Sequence, residues 1–548
     1  MVVQGVLWYS DTFTNGINTL YSRRSMPPHL IVWPTILSLF GALAIPRMGP
    51  WLPQRRYALV VLLFAVVLFV FALLIAATTP SEWVSEMWGA NVTSVVPLRY
   101  RIDDLGRAFL ILSGLVGLGA LVGSLDEAEP LASREYQASL IGVMGGLFAL
   151  SFADTLIGWM GAILVVDTAL LYGLGMVGRP RWLGTLFPQV LFSDLLILVA
   201  LILQWQEGLG VASTSSWLSL ALLGAVIFRM APLPFSLFVL ADEPLPQRVM
   251  VMMPLVTVGI GGLWLARLPQ FMGEQALAAP EALAVFAAVG VALAGWVAWR
   301  LRQPSQRMMM LTASQAAWVL WAWAWGYQGE AVAAAWAGSL ALGALAFHGG
   351  RLDARHYGQL PSAVAVLMLL GGPLSAAWPV LSRVSGSAWQ RGEQGLLALG
   401  IIGLMTTVVA YGHWLIPEQV EPTHPSRWVG GGILVLLSIP LVAALWGIRP
   451  PLPHQAISAS WAEQWSLPVL GWAGGLWLWQ IRERLAPLRA LLDSSARLLS
   501  FGWLWRGLNR LSQLLIGAVR SVMLLLEGEN YGWLVLFLLL ALILLLPR

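Results

Sequence analysis

From residue 57 to residue 77 the chain carries no charged and no amide side chain. A helix of about 20 apolar residues spans a hydrocarbon core of roughly 30 Å, and lipid offers backbone groups no partner outside the segment. Comparable runs recur near 30–46, 106–124, 136–153, 156–177, 188–204, 215–230, 249–266, 283–299, 308–325, 332–349, 362–381, 394–415, 428–447, 465–480 and 531–547. Together these predict an all-α polytopic membrane protein of about 16 transmembrane helices. Unbroken apolar runs exclude a β-barrel, whose strands alternate.

Composition supports the same class: 58% of residues are hydrophobic and 11% charged, against roughly 45–50% and 25% in soluble domains. There is no cysteine, which removes thiolate metal sites, disulfides and thiol nucleophiles from this chain. There is also no lysine, so all 31 basic residues are arginine. They are spread over many loops rather than gathered on one face, so nucleic acid is not an expected partner. With the amino terminus outside, the inner loops hold the larger share of arginines, which places both termini on the outer side of a cell (inner) membrane. The opening residues lack the pattern of a signal peptide. No phosphate-binding loop, metal-ligand spacing or nucleophile triad is found, and no cofactor is expected. Most of the 30 tryptophans fit aromatic belts at the two membrane surfaces.

One stretch stands apart, "GAVIFRMAPLPFSLFVLADEPLPQRVMVMM" at 224–253. It sets Arg229 in an apolar run and then breaks the run with Pro232, Pro234 and Pro244, with Asp242 and Glu243 before the last. A second unusual segment, 481–530, alternates arginines (Arg482, Arg484, Arg489, Arg497, Arg506, Arg510, Arg520) with Leu and Trp clusters. That is the pattern of an amphipathic helix lying along the membrane, with lipid as its neighbour.

Motif order then becomes informative. "YRIDDLGRAFLIL" (100–112), "DTLIGWMGAILVVDTALLYGL" (154–174), "LFPQVLFSDLLILVALIL" (186–203), "FRMAPLPF" with "ADEPLP" (228–246), "SQRMMMLTASQAAWVL" (305–320) and "PSAVAVLMLLGGPLSAAWPVLSR" (361–383) follow one another. Their order resembles that of the antiporter-like membrane subunits of respiratory complex I, membrane hydrogenases and Mrp antiporters, the lateral segment being similar to that of the distal NuoL-type subunit. The resemblance implies two inverted five-helix repeats, each with a broken helix, and a chain of buried Lys, Glu and His at the midplane. It divides the chain into N-terminal helices (1–105), a first repeat (106–267), a second repeat (268–415), additional helices (416–480), the lateral amphipathic segment (481–530) and a final transmembrane helix (531–548).

Carried over residue by residue, the resemblance puts Pro232 and Pro234 at the first helix break and Arg229 where the family has a buried lysine. Asp194 matches a family aspartate, although Leu191 stands where an arginine is usual. Ile163 replaces the family's ion-pairing glutamate. Asp167 lies one turn further on the same face, where it can pair with Arg229; the alternative is a hydrogen bond between packed helices. Met253 replaces a family histidine, and Ala341 or Leu342 a second-repeat lysine, leaving His348 as a relay candidate or a structural hydrogen-bonder. Arg383 resembles a further family lysine, His413 follows Tyr411 where an aromatic and a basic residue are usual, and Ser314 and Gln315 match a water-holding pair. Lysine works in such a relay because burial tunes its pKa, whereas arginine stays protonated and acts as a fixed charge. The expectation is a proton-translocating, or formerly proton-translocating, membrane subunit of a complex I-related assembly, not catalytic alone, with other membrane subunits as partners. The alternatives are the membrane partner of an inorganic-carbon uptake complex, or a non-conducting scaffold.

Overall fold

The computed structural model describes residues 28–48, 51–77, 82–84, 98–123, 134–176, 180–208, 215–236, 250–272, 280–348, 360–371, 375, 377–415, 460–503, 506, 507 and 510. Asp242, Glu243 and Pro244, and the spans expected near 428–447 and 531–547, lie outside them.

Helices α1 (Trp33–Met48) and α2 (Gln54–Ala77) precede a two-stranded hairpin of β1 (Glu82–Val84) and β2 (Arg99–Arg101). Next come α3 (Asp104–Gly123), α4 (Arg134–Phe152), α5 (Leu156–Met176), α6 (Pro180–Gly208) and α7 (Ser215–Met230). Helix α8 (Ile260–Met272) continues a π-helical turn, Leu255–Gly259. The remaining helices are α9 (Pro280–Arg300), α10 (Pro304–Ala324), α11 (Gln328–His348), α12 (Leu360–Leu369), α13 (Trp378–Gln390), α14 (Gln394–Leu415), α15 (Trp461–Gln480) and α16 (Arg489–Leu499). Among the described residues, 8 helices are long and apolar enough to cross a membrane.

Their outward faces are apolar as well. Phe40, Leu63, Trp217 and Leu220 are all exposed by more than half, which in water would be unfavourable and in lipid costs nothing. Polar groups instead turn inward: Ser38, Ser113, Ser151 and Ser193 are fully buried and each hydrogen-bonds a helix carbonyl.

Two helices are interrupted. α7 stops at Met230 because Ala231 enters the left-handed region at φ 54°, and Pro232 has no N–H with which to continue the ladder. The chain turns back, with Phe235 N–H donating to Pro232 O at 2.7 Å. The single span expected at 362–381 is two helices instead: α12 ends at Leu369, Gly371 takes φ 69°, and α13 restarts at Trp378 with Pro379 in its first turn. Gly371 is needed there, because a Cβ would meet Leu381 Cδ1 at 2.2 Å and would also face the steric penalty of positive φ.

Between the two breaks lies α11, which packs against α8 and its π-turn, α3, α10, α12 and α13. Small side chains make that close packing possible, Ala335 facing Gly262 and Gly338 facing Gln315. The expected lateral segment begins with turns, a 3-10 turn at Ala486–Leu488 and α16, and Phe501 at φ 55° ends that short helix region. Its inner side is tied to α9: Arg300 Nε donates to Asp493 at 2.8 Å, and Trp296 Nε1 donates to Ser495 Oγ at 3.2 Å.

Candidate proton-handling site

Three of the sequence-derived candidates converge. Arg229, in the last turn of α7, grips Asp167 of α5 with both arms, Nη1 to Oδ2 at 2.7 Å and Nη2 to Oδ1 at 2.6 Å. Its third nitrogen, Nε, donates to the carbonyl of Val256 at 3.0 Å. The guanidinium is 2% exposed and the carboxylate 4%. The fork geometry suits a carboxylate; in this environment breaking one partner strands a buried charge, at a cost of about 3–5 kcal/mol. The ring of Trp264 lies 6.0 Å from the guanidinium carbon, close enough for a cation–π attraction.

Asp194, on α6, completes the cluster. It is 6% exposed and lies within electrostatic range of both Asp167 and Arg229. Its Oδ1 is buried with no hydrogen-bond partner among the described residues. An orphaned carboxyl oxygen marks a place for water or an exchangeable proton. Around it, Ser193 Oγ donates to Ala225 O at 3.1 Å and Gln189 Nε2 to Phe228 O at 3.3 Å. These bonds tie α6 to the last turns of α7, which fixes the distance between Asp194 and Arg229.

The other candidates are scattered. Arg383, on α13, pairs with Glu330 at 3.2 Å and lies 5.7 Å from the Tyr327 ring. The Tyr327 hydroxyl in turn hydrogen-bonds Ser387 Oγ. Gln315 donates to Ala334 O at 3.2 Å and lines a cavity of about 10 Å³ with Trp318, Leu369 and Val380, room for about one water molecule. Ser314 Oγ is buried without a hydrogen-bond partner among the described residues. His413 sits edge-on to Trp479 at 5.0 Å, in the last turn of α14. His348 is the last residue of α11; its side chain lies outside the described residues. Pro232 and Pro234 are at the α7 break, where Leu233–Pro234 is a cis peptide. Metal-ligand clusters are absent among the described residues.

Sequence reasoning missed two buried charges. Glu330, 5% exposed, opens α11, where an acid reads as an ordinary helix-start residue. Arg267, 1% exposed, directly follows the apolar run expected at 249–266, where an arginine reads as a membrane-surface anchor. Both partners were visible: Asp103 in the motif at 100–112, and Arg383 in the last motif.

No protein-family model matches this chain, and no curated protein does. Its fold, however, recurs in solved membrane complexes. A chain of the Mrp complex from Dietzia sp. DQ12-45-1b superposes with TM-score 0.69 at 16% identity over 93% of this chain. This chain spans 62% of that one's length. A chain of respiratory complex I from Thermus thermophilus with bound NADH gives 0.61 at 16% identity, covering 81% of this chain and 99% of the other. A chain of the membrane-bound sulfane sulfur reductase (MBS), an archaeal respiratory membrane complex, gives 0.62 at 13% identity, covering 95% and 100%. At these identities it is the path of the helices that is shared, and the chain has a fold found in chains of these three complexes.

Proposed function

We propose that the chain is a proton-translocating, antiporter-like subunit of a complex I-related multisubunit assembly in a cell membrane, both termini on the outer side. The observation that carries this reading is the Asp167–Arg229–Asp194 cluster, buried beside the interrupted end of α7. Intramembrane carboxylates are expensive and are kept chiefly where ions or protons pass. Arg229 remains charged and holds Asp167 as its counter-ion. With the guanidinium neutralised by Asp167, a second buried carboxylate has no counter-charge of its own. Asp194 is the member free to exchange, and its orphaned Oδ1 is the atom to which water delivers the proton. Arg229 acts as a fixed charge that organises the site rather than as a carrier. The Glu330–Arg383 pair is the corresponding station of the second half.

A second reading has its own support. Met253, Ala341 and Leu342 are all fully buried where the resembled subunits carry relay histidine and lysine, as suits a scaffold that retains the fold without transport. Isolation of the native assembly separates the readings. Redox or hydrogenase subunits together with proton movement across reconstituted vesicles support translocation. A zinc-bearing soluble partner points to inorganic-carbon uptake, and an assembly that moves no protons points to the scaffold.

A further inference from the structure

The π-turn and α8 touch the buried cluster at one end and a second buried arginine at the other. In the π-turn, Val256 offers its carbonyl to Arg229 Nε. Two turns on, Trp264 faces the Arg229 guanidinium and stacks on Trp159 of α5 at 5.7 Å with the rings 10° apart. Trp159 Nε1 donates to Ala153 O at 3.0 Å. The same carbonyl accepts Arg267 Nη1, while Arg267 Nη2 reaches Ser151 O at 2.8 Å and Asp103 at 3.1 Å. Asp103 caps the start of α3 by accepting from Gly106 N at 2.6 Å. Asp154 and Arg101 are the other charges within range of Arg267; Asp154 is held by Arg99 at 3.0 Å, which also pairs with Glu82 of the hairpin at 2.6 Å. A line of contacts thus runs from the β1–β2 pair to Arg229.

We propose that Arg267 is a positioning residue for the Arg229–Asp167 pair. It fixes the far end of α8 on the carbonyl end of α4 and on Asp103. The π-turn then presents the Val256 carbonyl, and Trp264 its ring, to the guanidinium. A plain helical anchor would explain the carbonyl contacts of Arg267 alone. It does not explain why Trp159 and Arg267 share one acceptor, Ala153 O, while Trp159 also supports the ring that faces Arg229. π-turns inside helices recur at functional sites, where the extra residue re-aims a backbone group; here the re-aimed group is one of Arg229's three acceptors. The consequence for transport rests on the reading of the cluster given above, but the placement of Arg229 does not.

The test uses the full chain purified with its partner subunits and imaged by electron cryomicroscopy as Arg267→Met, Arg267→Lys and Trp264→Leu. Arg300→Met, which removes the tie between α9 and α16, controls for general loosening. In Arg267→Met the Arg229–Val256 contact is expected to open beyond hydrogen-bond range, about 3.5 Å, with loss of one arm of the Asp167 fork. Arg267→Lys restores both, and Arg300→Met moves neither. Trp264→Leu leaves Arg267 in place and removes both the stack on Trp159 and the ring facing Arg229, so the Arg229–Val256 contact must open in it too, even if Arg267→Met does not fold. An Arg229 that stays in place in the folded variants overturns the proposal. A displaced Arg229 in an assembly whose wild type moves no protons leaves the positioning role standing and removes the transport reading.

Discussion

Arg229 and Asp167 lie 62 positions apart and meet through two parallel hydrogen bonds inside the bundle. A fork of this kind is specific to guanidinium and carboxylate. In the proposed function, an arginine standing where the resemblance expects a lysine locks this acid as its counter-ion and leaves proton exchange to the next carboxyl, Asp194.

The pair is therefore expected to behave as a unit in stability. Asp167→Asn or Arg229→Met alone should cost about 3–5 kcal/mol, because each strands a buried polar partner. The double variant Asp167→Leu with Arg229→Met should lose far less. A thermal or denaturant melt of the detergent-solubilised assembly measures all three; a double variant as unstable as the sum of the singles would contradict the account.

Arg229→Lys separates charge from geometry. The ammonium can keep the ion pair but cannot make the fork and reach Val256 at once. Stability should fall by about 1–3 kcal/mol, while proton conduction is kept or raised, since a lysine can release its proton. A variant that melts normally but conducts nothing would show that conduction depends on the guanidinium's own contacts.

The two helix breaks make opposite predictions. Ala231 carries a positive φ without being glycine, so Ala231→Gly should raise stability by about 1 kcal/mol. Gly371→Ala places a methyl group against Leu381 at a positive φ, and should lower stability by about 1–3 kcal/mol. Both are read from the melting temperature of the purified assembly.

In the second half, Glu330→Gln should loosen Arg383 and cost about 3 kcal/mol, whereas Tyr327→Phe, which removes only the hydroxyl contact to Ser387, should cost about 1 kcal/mol. If Glu330→Gln proves the milder of the two, the pair is not the second-half counterpart of Asp167–Arg229.

Much of this architecture was legible in the sequence because lipid leaves so few solutions: an apolar run of that length has to be a helix. The first break was legible from Pro232 and Pro234. The second was implied by the resemblance but not placed: "LLGGPLSAAW" was read as part of one span, although its Gly-Gly-Pro carries the break signal. At the site, the resemblance put the missing glutamate at Ile163, and the single helical turn from there to Asp167 then suggested the partner of Arg229. Glu330 was missed because it opens its helix, and Arg267 because it directly follows the apolar run expected at 249–266. A charge there reads as surface anchoring until packing shows that the neighbouring helices cover it.

The central claim is that Asp194 carries the exchangeable proton while Arg229 only holds the site. It is tested most directly by proton flux into sealed vesicles containing the native assembly, comparing wild type, Asp194→Glu and Asp194→Asn. Flux that persists with glutamate and is abolished with asparagine, in assemblies that remain intact, is the predicted result; flux in Asp194→Asn equal to wild type would contradict it.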